Sequence, residues 1–87
     1  MAVHELKTWP EYFQAIKSGI KTFEFRKNDR DYKVGDILYL TEFCPEERLY
    51  TGDRTIVQVT YILEGFMPEL DGYAIMAIRP YRGVWLK

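Results

Sequence analysis

The run Gly19-Ile20-Lys21-Thr22-Phe23-Glu24-Phe25-Arg26-Lys27-Asn28-Asp29-Arg30 constrains the fold more than any other stretch of this chain. It opens on a glycine able to end a helix, continues as an alternating segment and closes in a polar turn. A chain that passes from helix straight into strand must pack the two at a corner. If residues 22–27 are extended, their side chains alternate between two faces. Phe23 and Phe25 then point into a core, and Thr22, Glu24 and Arg26 point the other way. Lys21 sits at the strand mouth, where a long side chain can curl over the polar face. Corners between helix and sheet form concave sites, and here a lysine, a carboxylate and a guanidinium meet at one. The plain alternative is a solvated strand face with an ordinary Glu–Arg pair.

The flanking sequence supplies the rest of the architecture. Residues 2–7 read as a short strand with Leu6 as its core contact. Thr8-Trp9-Pro10-Glu11 reads as a helix start: Thr8 caps, Glu11 completes a capping box, and Pro10 is tolerated in the first turn. Trp9, Phe13 and Ile16 recur at helical spacing, with Tyr12 widening the buried stripe. Asn28 to Asp31 and Val34-Gly35-Asp36 are turn signals, with Asp36 expected to bond nearby backbone amides. Residues 37–43 form a strand with apolar residues on both faces. Residues 44–53 read as a connecting loop broken by Pro45 and Gly52. In the next strand, 54–63, Val57, Val59, Tyr61 and Leu63 share one face. Residues 64–72 are a loop, and 73–79 are a last strand with small alanines between Ile75, Met76 and Ile78. The tail 80–87 carries Trp85, either packed on the barrel or in contact with a second copy. One helix and about five strands predict an α+β, mainly β fold: a small mixed-sheet barrel with the helix at its opening.

At 87 residues the chain is expected to be a single domain, 1–87. A net charge of -1 argues against indiscriminate binding of polyanions. The charge is uneven, however. Lys17, Lys21, Arg26, Lys27, Arg30 and Lys33 face only Glu24, Asp29 and Asp31 across the same stretch. A local basic patch on a nearly neutral protein suits a selective site. Cys44 is the only cysteine, which excludes an intramolecular disulfide and a Cys-rich metal site. It reads as an inert thiol in a cytoplasmic protein with no metal and no cofactor. His4, the only histidine, reads as a surface or packing residue. No apolar run is long enough to span a bilayer, and the N-terminus lacks the regions of a secretory signal.

Gly19-x-Lys21-x-x-Glu24-x-Arg26 is similar to the G-x-K-x-x-E-x-R signature of the ASCH domain family, a branch of the PUA-like superfamily of small β-barrels. The wider order also fits: Leu6-Lys7-Thr8, Asn28-Asp29-Arg30, Val34-Gly35-Asp36, Tyr50-Thr51-Gly52 and a closing apolar strand. Over residues 3–79 the chain resembles a small, poorly characterised bacterial and phage group within that family. The resemblance implies a PUA-like barrel and a module that binds RNA or a nucleotide beside the signature. Lys21, Glu24, Arg26, Lys27, Asn28, Arg30 and Lys7 are then the expected binding residues. Cations would contact phosphates or stack on bases, and Glu24 would accept from a base amino group.

Two further functions are weighed. Some proteins resembling the family are amidohydrolases that remove an acyl group from cytidine, using a lysine, a threonine and a glutamate. Lys21 matches the lysine. Glu24 stands at the threonine position, with Thr22 nearby, and Glu64 or Glu69 would have to replace the glutamate. In that reading Lys21 and Glu24 are the catalytic residues. The third function is a protein-interaction module, marked by a homodimer through a strand edge or the Trp85 tail.

Overall fold

The computed structural model describes residues 1–82; the expectation for Trp85 lies outside them. The order is β1 (Val3–Thr8), α1 (Pro10–Lys17), β2 (Phe23–Lys27), β3 (Ile37–Cys44), β4 (Leu49–Glu64), one 3-10 turn (Pro68–Leu70) and β5 (Tyr73–Pro80). The five strands form one sheet in the order β1-β3-β4-β5-β2. β1 runs parallel to β3, and every other pair is antiparallel. The sheet curls into a half-barrel, in line with the small mixed-sheet barrel read from the sequence.

The core lies inside the curl. Leu6, Leu38, Leu40, Val57, Val59, Ala74, Met76 and Ile78 line it from four strands, and Phe13 and Ile16 cover it from α1. Tyr32, from the loop between β2 and β3, fills the same core. Asn28 positions that loop: its Oδ1 accepts from the Tyr32 amide at 3.1 Å, and its Nδ2 donates to Glu64 Oε2 at 2.8 Å. Gly35, at φ +97, makes the turn that leads into β3. Asp36 follows, and the amides of Ala2 and Lys33 each donate to its carboxylate at 3.0 Å. His4 Nε2 lies 2.8 Å from Asp36 Oδ2, and the His4 ring meets Tyr32 edge-on at 4.9 Å. The expected structural role of Asp36 is therefore seen, and His4 is a packing residue tied to it.

Four local expectations are corrected. β4 starts at Leu49, so residues 44–53 are a hairpin and not a long loop. A bulge at Thr60 shifts the β4 register between Val59 and Tyr61. One extra residue turns every later side chain to the opposite face. Val57 and Val59 are buried, but Tyr61 is 62% exposed and Ile62 packs on the core instead. At the helix start, Trp9 and not Thr8 holds the capping position, with no side-chain cap bond. Trp9 has extended backbone there, so helical phase does not carry its ring inward, and it is 53% exposed.

The largest correction concerns β2. Phe23 and Phe25 are 46% and 49% exposed, while Glu24 is only 3% exposed. The alternation is as expected, but the polar face looks inward. Pairing with β5 decides this, because Glu24 sits opposite Met76 and Arg26 opposite Ala74, both on the inner face. Ala74 leaves the room that a guanidinium stem needs.

Candidate functional site: a cationic cleft at the barrel seam

Among the described residues no ladder joins the outer strands β1 and β2. Side chains bridge the seam instead. Arg26 Nη2 donates to the Lys7 carbonyl at 2.9 Å and to Thr8 Oγ1 at 3.1 Å. Arg30 Nη1 donates to the Glu5 carbonyl at 3.0 Å. These carbonyls have no neighbouring strand to bond, and a guanidinium reaches across to satisfy them. Thr8, expected as a helix cap, is the acceptor that closes this bridge.

Glu24 organises the inner face. Its Oε2 accepts from Arg26 Nε at 2.7 Å, and its Oε1 accepts from Lys21 Nζ at 3.0 Å. A carboxylate this deeply buried needs partners of opposite charge, and it has two. Lys21 reaches it because α1 ends in time: Gly19 turns the chain at φ +86, and the Lys21 amide donates to the Ala15 carbonyl at 2.9 Å. The Lys21 side chain then curls over the polar face as expected. Its ammonium also donates to the Phe23 carbonyl at 2.7 Å and lies over the Phe23 ring, 4.5 Å from its centroid.

Together these groups line a cleft of about 460 Å³. Lys7, Lys21 and Arg26 supply three cations against the single carboxylate of Glu24. Trp9 and Tyr12 form the wall, stacked at 6.2 Å with an interplanar angle of 22°. The volume falls within the usual range of small-molecule sites, about 300–1,000 Å³. With three cations on one carboxylate and an exposed aromatic wall, the cleft can hold an anionic group beside a planar ring. Among the described residues, no group of three His, Cys, Asp or Glu converges as a metal site requires.

Of the expected site residues, Lys7, Lys21, Glu24 and Arg26 come together here. Arg30 lines an adjoining cavity that also includes Lys7 and Arg26. Two do not join them. Lys27, at the end of β2, lines neither cavity, and Asn28 is tied up in the loop below. Glu24 has both oxygens engaged by cations, so it acts as the group that orients Lys21 and Arg26. Sequence reasoning missed Thr8, Tyr12, Phe23, Phe25 and Trp9 as cleft residues. The available signal was Pro10, which starts the helix one residue after Trp9 and so leaves that ring outside the helical stripe.

Tyr32 is buried in the core within electrostatic reach of Arg26 and Arg30. Burial raises its phenol above the ordinary value, and nearby Arg26 and Arg30 counter only part of that effect. For Asp36, burial alone would raise the carboxyl. The bonds from the Ala2 amide, His4 and the Lys33 amide outweigh it and hold the carboxyl below the usual carboxylate range.

A family described as a domain of unknown function, DUF3850, matches residues 3–78. The chain is also similar to an uncharacterised 12.9 kDa protein of the GpA 3' region in Escherichia phage P2, at 36% identity over 62 residues. That match covers 71% of this chain and 55% of the phage protein, so the chain spans about half the length of this relative. No helix among the described residues is long and apolar enough to cross a membrane.

Proposed function

This chain belongs to the DUF3850 family, and we propose that it is a binding module for single-stranded RNA or a nucleotide, held in the seam cleft. The observation that carries this reading is the Lys21–Glu24–Arg26 triad. One buried carboxylate holds two cations in fixed positions beside an exposed Trp9–Tyr12 stack. Fixed cations suit phosphate oxygens, and an aromatic wall suits an unstacked base. Kinship with the ASCH domains of the PUA-like superfamily is part of the same proposal, resting on the Gly19, Lys21, Glu24 and Arg26 spacing.

The test is a titration with nucleosides, nucleotides and short single-stranded RNAs, followed by amide NMR shifts. Shifts clustered on Lys21, Arg26 and Trp9, lost in Lys21→Ala while the fold is retained, are the expected result. Unchanged affinity in Lys21→Ala would remove the cleft from the reading. Acylated cytidine belongs in the panel, and release of free cytidine would favour the amidohydrolase alternative. That alternative has less support, because Thr22 does not line the cleft and Glu64 bonds Asn28.

A second reading has its own observation. The outer face of β2 and β5 presents Phe23, Phe25 and Tyr73, each nearly half exposed, with Phe25 and Tyr73 in contact at 5.5 Å. A homodimer through this face would cover them.

A further inference from the structure

We propose that the seam contains two adjoining nucleotide subsites, so that the preferred ligand is a single strand of at least two nucleotides. This deepens the nucleic-acid reading above and rests on it. The second cavity, also about 460 Å³, adjoins the first through two residues that line both. Lys7 and Arg26 line both, so the wall the two share is cationic. That is where the phosphodiester between two bound nucleosides belongs.

Each side of this wall offers a surface for one base. On the first side it is the Trp9–Tyr12 stack. On the second it is Tyr50, which is 54% exposed and braced edge-on by Phe43 at 5.0 Å. Lys7 Nζ lies 4.5 Å from the Phe43 centroid and 5.8 Å from that of Tyr50, which ties the shared wall to the second platform. Arg30, anchored on the Glu5 carbonyl, adds a further cation to this cavity. Glu5 itself lines this cavity and brings a carboxylate to it. It would repel a phosphate there but can accept from the exocyclic amine of a base. The second cavity thus suits a base, with the phosphate held at the shared wall. Bases splayed onto separate aromatic surfaces must come from a single strand.

The experiment compares mononucleotides with dinucleotides of the same bases, by calorimetric titration of the full chain. The expected result is that dinucleotides bind at least roughly tenfold tighter, the gain from one added stacked base. In Tyr50→Ala that ratio should fall towards one, while Tyr50→Phe keeps it. A wild-type ratio near one would overturn the second subsite even if Tyr50→Ala does not fold. So would a ratio that Tyr50→Ala leaves unchanged. If neither ligand binds, the nucleic-acid reading itself fails, and the second subsite goes with it.

Discussion

β3 and β2 belong to the same sheet, yet their inner faces bury opposite chemistries. β3 is central and presents Leu38 and Leu40, both fully buried. β2 is an edge strand and presents Glu24 and Arg26 to the same interior. The difference follows from what surrounds each strand. β3 is flanked by β1 and β4 and covered by α1, so its backbone is paired and only apolar side chains are needed. β2 faces a seam where carbonyls of β1 lack a ladder partner. Charged groups are tolerated there because Arg26 satisfies both Glu24 and the Lys7 carbonyl. The open seam is thus both the weak edge of the barrel and the place where a cationic site can be built. Even β3 turns polar near its far end, where buried Glu42 accepts from Gln14 at 3.0 Å and from Thr51 at 2.5 Å.

The comparison can be broken by substitution. Leu40→Ala should have the largest effect on stability, about 3 kcal/mol in chemical denaturation, by leaving a cavity in the paired core. A loss well under 1 kcal/mol would mean that the core does not rest on β3. Glu24→Ala should cost about 2 kcal/mol, because Lys21 and Arg26 lose their shared counter-charge but keep partial access to water. Its larger effect should be on binding, since both cations lose their anchor. If stability falls while ligand affinity holds, the triad is only structural.

Acid sharpens the comparison at the foot of β3. The folded-state carboxyl of Asp36 is held below its ordinary value of about 3.9, so its contribution is complete above that value and lost as pH falls through the folded-state value. Denaturation midpoints measured downward from about pH 6 should fall less steeply in Asp36→Asn, which should also lose about 1–2 kcal/mol at neutral pH. The smallest effect belongs to the outer face of β2. Phe25→Ala should change stability by about 1 kcal/mol or less, as expected for a half-exposed ring. A loss near 3 kcal/mol would restore the inward orientation that alternation first suggests, or point to a partner covering the ring. Sedimentation of the same variant separates those two outcomes.

Much of the fold was legible in the sequence because its signals are local. The turn at Gly35, the helix stop at Gly19, the two-faced apolar run of β3 and the closing strand β5 are all read from neighbouring residues. The misreadings share a different cause. The Thr60 bulge, which moves Tyr61 outward, has no marker in composition. Trp9 matched the helical period but stands before the helix begins. Asn28 and Lys27 carry binding-type side chains, but loop anchoring takes the first, and the second, at the end of β2, lines neither cavity.

The site shows the same division. By itself the sequence determined that Glu24 and Arg26 share a face and that Lys21 can reach them, because strand alternation and a glycine stop are short-range physics. Which face looks inward was decided only by tertiary structure. A period of two distinguishes two faces but does not say which meets the core. The register of β2 against Met76 and Ala74, together with β1 carbonyls that have no ladder partner and are bonded by Arg26 and Arg30 across the seam, turned the charged face in and the phenylalanines out.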